Sequence, residues 1–152
     1  EMTKYMKDRN LLRARSKAGF DQLAARPEVD ASRIAVIGYC FGGTSILELG
    51  RAGVPAKSYV SLHGVLNNPT PEDAKNIKAP VLVLHGAADT FVSDKEVETF
   101  LAEMKGVNAD VTFVSYSGAP HSFTLEGPAF RPLAAARAWS TMSNFLTETL
   151  GQ

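Results

Sequence analysis

A single cysteine, Cys40, sits in the hexapeptide Gly38-Tyr39-Cys40-Phe41-Gly42-Gly43. A short apolar run, Ile34-Ala35-Val36-Ile37, leads into it, and helix-forming sequence follows. Glycines two residues either side of a nucleophile are what a strained strand-to-helix turn requires, because bulk there would collide with the turn and the adjacent strand. Such a turn holds the thiol out at the sheet edge beside a helix N-terminus, whose dipole favours thiolate. The backbone N–H of Phe41 can then point into an oxyanion hole. The competing reading is a buried structural cysteine next to a tight turn, since free cysteine is among the most buried residue types. A phosphate-binding turn fits less well, because the glycine spacing is not G-x-G-x-x-G and the P-loop lysine is missing.

Two further groups could complete a nucleophilic site. Asp89 closes Leu84-His85-Gly86-Ala87-Ala88-Asp89, directly after an apolar run. A carboxylate in that position can hold an imidazole in one tautomer and stabilise its cation. Taken alone, Asp89 is equally a turn residue, and Asp94 reads as the N-cap of the next helix. His121, in Gly118-Ala119-Pro120-His121-Ser122-Phe123, follows the last strand-like segment and precedes the last helical one. It has the chemistry of a general base, although a lone loop histidine is more often simply solvated. His85 is read as packing around the acid loop. His63 could line a pocket mouth, with core packing the favoured alternative. The order Cys40, Asp89, His121 separates these readings: nucleophile, acid and base follow one another as in the α/β-hydrolases, each at the end of a strand.

The elements that must position these groups are legible from periodicity. A helix is expected over 8–26, with Leu11, Leu12, Ala18 and Leu23 recurring at helical spacing and Pro27 just beyond. Strands are expected over 34–38, 58–62, 81–84 and 111–116. Helices are expected over about 44–51, 95–105 and 134–150, the last with an inner stripe of Ala138, Met142, Phe145, Leu146 and Leu150. Strands alternating with helices mean βαβ units and a mainly parallel sheet in a three-layer α/β domain. Right-handed crossovers put every strand end on one edge, where ligands of open α/β sheets bind.

Composition excludes several function classes. The 152 residues suffice for one domain, 1–152, and 16 Lys plus Arg balance 16 Asp plus Glu. Balanced charge gives no electrostatic reason to expect nucleic acid or an anionic membrane as partner. No apolar stretch approaches the roughly 20 residues that span a bilayer, and Glu1–Arg15 is too charged for a signal peptide. One cysteine forbids an internal disulfide, in keeping with a reducing, cytoplasmic location.

The hexapeptide around Cys40, the His85–Asp89 loop and His121-Ser122-Phe123 together resemble the dienelactone hydrolase (carboxymethylenebutenolidase) family, over about residues 11–150. The resemblance implies hydrolysis of a small-molecule ester or lactone through a cysteine acyl-enzyme, with no cofactor and no metal. Cys40, Asp89 and His121 fall on the family's triad, Phe41 N–H on its oxyanion hole, and Tyr39, Phe123 and His63 are candidates for the substrate wall. Two departures stand out. Leu125 occupies the place of an arginine that binds the substrate carboxylate, which points away from dienelactone itself to a neutral or different ester, with nearby Arg131 as the candidate substitute. The count of four strands, against about eight in the full fold, implies that the N-terminal half is missing, with its second oxyanion donor, an acidic residue that pairs with the thiol, and pocket wall. The first strand would then be an apolar sheet edge with no charge or proline to blunt pairing, covered by the missing segment or by a second copy. Two alternatives remain: a non-catalytic fragment or sheet-edge interaction module, and thiol chemistry without hydrolysis, which the lack of a resolving cysteine disfavours.

Overall fold

The structure, a computed structural model, describes residues 2–151. Its elements run α1 (Met2–Lys7), α2 (Arg9–Ala24), β1 (Ala35–Tyr39), α3 (Phe41–Arg51), β2 (Ser58–Leu62), β3 (Val81–Gly86), α4 (Asp94–Gly106), β4 (Val111–Tyr116) and α5 (Pro132–Leu150), with short 3₁₀ turns at Ala31–Arg33 and Pro71–Asn76. The four strands are all parallel in the order β1-β2-β3-β4, so each crossover steps to the adjacent position. The expected α/β architecture is present, with all strand C-termini on one edge.

The inner strands have apolar side chains on both faces because both faces are covered. Tyr59, Val81 and Val83 point into a core shared with Phe20 of α2, Ile46, Leu47 and Leu49 of α3, and Phe100 and Met104 of α4. Val60, Leu62, Leu82 and Leu84 point the other way, onto Ala138 and Met142 of α5. Val60, Leu82 and Leu84 are completely inaccessible to solvent. The sheet is the middle of three layers, with one helix on one face and three on the other. No described helix is long and apolar enough to cross a membrane.

Several boundaries differ from the sequence expectation for local reasons. Asp8 caps α2 rather than opening it, its side chain accepting from Leu11 N–H at 2.9 Å. The buried face of α2 carries Arg9, Leu12 and Phe20, and Leu23 is 46% exposed, so the apolar stripe lies further round the helix than its leucines suggest. Ser93, not Asp94, caps α4: its hydroxyl accepts from Glu96 N–H at 3.2 Å, and Asp94 is the first helical residue, well placed against the dipole. Helix α3 begins at Phe41, three residues before the expected start, because the turn is completed within Cys40 itself.

One feature of α3 has no apolar-pattern signature. Glu48 and Arg51 are both fully buried and paired at 3.0 Å. Arg13 of α2 reaches the other Glu48 oxygen at 2.7 Å and Asp73 at 2.5 Å, and Arg51 also donates to Leu66 O at 3.1 Å. This network ties α2 and α3 to the 66–73 loop. Removing one member strands the others in a low-dielectric interior, at a cost of about 3–5 kcal/mol. Glu48→Leu is therefore expected to lower the urea midpoint of unfolding by most of the protein's margin without changing the slope, whereas a midpoint within error of the parent would contradict a structural role for the pair.

Candidate functional site

Cys40 lies in the hinge between β1 and α3 with φ 52° and ψ −121°, a backbone region that side-chain-bearing residues rarely occupy. Two glycines permit it. A Cβ at Gly38 would fall 2.1 Å from Gly42 O, and one at Gly43 would fall 2.6 Å from Ser61 Oγ and 2.9 Å from Gly64 Cα. Gly42 behaves differently from the sequence expectation: a Cβ there meets nothing within 4 Å among the described residues. The crowding lies one residue further on, at Gly43, where α3 crosses the end of β2. Phe41 is the first residue of α3, so its N–H is one of the unpaired donors of a helix N-terminus, adjacent to the thiol.

Asp89 and His121 meet across two loops. Asp89 Oδ2 accepts from His121 Nδ1 at 2.8 Å, and Oδ1 accepts from Phe91 N–H at 2.8 Å, which fixes the carboxylate plane. The loops are held together by backbone bonds from Ala87 N–H to Tyr116 O and from Ala88 N–H to Ala119 O, both 2.9 Å. Gly86 makes this approach possible, since a Cβ there would sit 2.4 Å from Ala119 O. With its Nδ1 proton committed to Asp89, His121 presents an Nε2 lone pair, and the Phe91 ring lies 4.8 Å from the imidazole centroid. The Asp89 side chain is fully buried and the His121 side chain 20% exposed.

The third histidine is closer to the sulfur than pocket lining would require. His63 directly follows β2 with φ 41°, is 1% exposed, and places Nδ1 3.4 Å from Cys40 Sγ and 3.2 Å from the Cys40 backbone nitrogen, whose N–H also donates to Leu62 O at 3.0 Å. Its Nε2 lies 2.8 Å from Thr124 Oγ1. Ser122 Oγ lies 3.1 Å from the sulfur on another side. The donor atoms of Cys40, His63 and His121 all fall within 4.8 Å of one another, a set of types that can ligate a soft divalent cation. Neither Ser122 nor Thr124 stands out in the sequence; their only signal is proximity to His121 in the chain.

Burial, followed by the neighbouring His121, pushes the His63 imidazole from its usual 6.5 down to about 4. The native state keeps this ring neutral while the unfolded chain protonates it. That contribution is fully present above pH 6.5 and is lost progressively as pH falls toward about 4. A thermal melting temperature that declines through this window in the parent and declines less in His63→Asn is the expected result; superimposable pH dependences would refute it.

The remaining candidates fall into place around this centre. Tyr39 is 37% exposed and, with Leu62, Thr124, Leu125, Ala135 and Trp139, lines an open hollow of about 330 Å³ that has no charged residue. Phe123 is completely buried, packed edge-on beneath His63 at 5.7 Å, so it backs the histidine rather than forming pocket wall. His85 is 5% exposed and lies against Phe113, in keeping with packing. Arg131, the nearest alternative to the arginine replaced by Leu125, spends its guanidinium on Pro128 O and Phe130 O.

A parallel sheet with helices on both faces, and a strained βα hinge at its carboxyl edge, is the fold of the α/β-hydrolases. Residues 1–150 match the dienelactone hydrolase family, and the chain belongs to it. A Caenorhabditis elegans protein, K02A2.1, is 32% identical over 93% of this chain and 96% of its own length. The carboxymethylenebutenolidase homolog of Mus musculus is 26% identical over 78% of this chain and 48% of its own. Among solved structures, the dienelactone hydrolase-like promiscuous phosphotriesterase P91 from metagenomic libraries superposes with a TM-score of 0.90 at 37% identity, covering 98% of this chain and 66% of that one. The chain thus spans about half the length of its carboxymethylenebutenolidase relatives.

Proposed function

We propose that this chain carries the nucleophile, base and acid of a carboxylic ester or lactone hydrolase acting on small neutral molecules. The observation that supports it best is the 2.8 Å Asp89–His121 pair at a strained hinge, with a His121 ring nitrogen within 4.8 Å of the Cys40 sulfur. In this reading His121 Nε2 takes the proton from the Cys40 thiol as sulfur attacks the substrate carbonyl. Asp89 keeps the Nδ1 proton in place and stabilises the imidazolium. The Phe41 N–H receives the developing oxyanion. The tetrahedral adduct collapses to a thioester at Cys40, expelling an alkoxide that His121 protonates. Water, deprotonated by the same imidazole, then releases the acid and restores the thiol.

The uncharged hollow beside Tyr39, Leu125 and Trp139 suits an apolar acyl or alkyl group and offers a carboxylate no cationic partner. Neutral phosphotriesters, the substrates that the name of P91 gives for that protein, fit the same absence of charge and form a second substrate class. Two partner features belong to this reading. The β1 edge, where Ile37 is 43% exposed, is covered by further polypeptide or by a second copy, which supplies a second oxyanion donor. A free thiol nucleophile suits a reducing, cytoplasmic setting.

The test is a pre-steady-state assay with p-nitrophenyl acetate, coupled to mass spectrometry of the quenched protein. A burst of nitrophenolate with one acetyl group mapped to Cys40 is expected. A folded protein that shows neither burst nor Cys40 adduct would reduce this chain to a non-catalytic member of the family.

A further inference from the structure

Cys40, His63 and His121 bring one sulfur and two imidazole nitrogens within 4.8 Å of one another, and the proposed hydrolysis uses only Cys40 and His121. His63 has no step in that reaction, yet it is buried with Nδ1 3.4 Å from the sulfur. A tetrahedral ion with metal–sulfur bonds of about 2.3 Å and metal–nitrogen bonds of about 2.0–2.1 Å holds such donors roughly 3.3–3.6 Å apart. The sulfur–His63 pair already has that spacing, and the third ligand needs to move by only about an ångström.

We propose that this triangle binds a soft divalent cation of the zinc type through Cys40 Sγ, His63 Nδ1 and His121 Nε2, and that the bound ion blocks the hydrolase by occupying its nucleophile and base together. The binding stands by itself; the block rests on the hydrolase reading. On binding, the Cys40 S–H bond breaks and its proton leaves to solvent. The thiolate and two neutral imidazoles then each give a lone pair to the ion, and a fourth position is left for water. Nothing is oxidised or reduced.

Each histidine has a partner on its other ring nitrogen, the arrangement that orients imidazoles on metals. His121 Nδ1 donates to the buried Asp89 carboxylate at 2.8 Å, which leaves Nε2 for the ion. His63 Nε2 lies 2.8 Å from Thr124 Oγ1, a hydroxyl able to accept its proton when Nδ1 is the ligand. Ser122 Oγ, 3.1 Å from the sulfur, can donate to a thiolate. The thiolate and the Asp89 carboxylate together balance the charge of a divalent ion. Thiolate with imidazole selects zinc-type ions over magnesium and calcium, which take oxygen ligands.

Two of the ligands are held in place by backbone. The Cys40 N–H donates to Leu62 O at 3.0 Å and the His63 N–H to Leu84 O at 2.9 Å, so the sheet ladder clamps both. A Cβ at Gly64 would fall 2.7 Å from Gly43 C, so the end of β2 is pressed against the start of α3. Such preorganisation lowers the cost of assembling a site. The third ligand lies on a loop with its side chain 20% exposed, and this side admits the ion.

Cys40 is the sole cysteine, so a sulfur-to-cobalt charge-transfer band in the untagged chain reports this site alone. Titration with cobalt(II) is expected to produce that band at one ion per chain, with the intense visible absorption of a four-coordinate ion. Zinc is expected to displace the cobalt and magnesium to leave it bound, and Cys40→Ala to lose the band. His63→Asn tolerates the positive φ and is expected to weaken cobalt binding at least about a hundredfold, and Thr124→Val, which removes only an outer partner, about tenfold. A folded parent without the band, or His63→Asn and Thr124→Val with parental affinity, would overturn the site; the second result would mean binding by the thiol alone. Zinc is also expected to suppress the nitrophenolate burst and to shield Cys40 from iodoacetamide over the same concentration range, both reversed by EDTA. Shielding in a chain that forms no acetyl-Cys40 would sink the hydrolase reading and leave the metal site intact. A burst at Cys40 that zinc does not touch would leave the hydrolase standing and overturn the site.

Discussion

Cys40→Ala is expected to abolish burst and turnover together, lowering kcat for p-nitrophenyl acetate at least a thousandfold while the protein stays folded. The size of the effect follows from the site having one nucleophile: without it, only whatever the Phe41 N–H and substrate binding contribute survives, and members of a catalytic unit fail together rather than additively. Asp89→Asn separates nucleophile from base. The amide is nearly isosteric, keeps one oxygen for the Phe91 N–H bond, and presents an NH₂ to His121 Nδ1 where a carboxylate stood. The imidazole then takes the opposite tautomer, with its proton on Nε2 pointing at the thiol, and general-base action is lost. A decrease of up to roughly ten-thousandfold in kcat is expected, with alkylation of Cys40 less affected because the sulfur's contacts to His63 and Ser122 are untouched. If Asp89→Asn turned over within tenfold of the parent, the Asp89–His121 pair would be structural and the base would lie elsewhere.

The part of this arrangement that the sequence displays is the part written in local pattern. β2 and β4 match their expected spans, and β1 and β3 differ by one or two residues at their ends, because the runs 58–62 and 81–84 are apolar on both faces and bounded by turn residues. Cys40, Asp89 and His121 are recognisable because each sits where a strand ends, and strand ends of a parallel sheet share an edge. His63 is equally a strand end, yet its contact with the thiol depends on register. Tyr39 pairs with Leu62, so the next residues, Cys40 and His63, face one another, and no single-strand pattern contains that fact. Glu48 and Arg51 are hidden for a related reason. On a helix of this composition they read as a solvated pair, and it is Arg13, Leu66, Asp73 and Glu103, arriving from α2, the following loop and α4, that make their burial tolerable. Helix α1 carries no buried residue and hence no stripe to read.

The hinge glycines offer the sharpest separation of sequence motif from physical need. All three of Gly38, Gly42 and Gly43 belong to the motif, and two of them meet backbone. A methyl group at Gly38 would overlap Gly42 O at 2.1 Å and Gly42 C at 2.2 Å, distances no side chain can relieve by changing rotamer. Gly38→Ala must displace the start of α3, and with it the sulfur, the Phe41 N–H and the contact with Gly64. The expected cost is above about 4 kcal/mol, a large share of the margin of a domain this size, with soluble yield falling accordingly. Gly42 lies in the first turn of α3 with open space around its Cα, and alanine there removes glycine's entropic penalty in a helix. Gly42→Ala is expected to hold stability or raise it by up to about 1 kcal/mol. Urea unfolding of the two variants side by side distinguishes a motif kept for the turn from one kept for something that approaches Gly42 from outside. A Gly42→Ala protein that is stable but does not acylate Cys40 would show that whatever completes the oxyanion site comes in over that glycine, because nothing among the described residues stands in the way of its new methyl group.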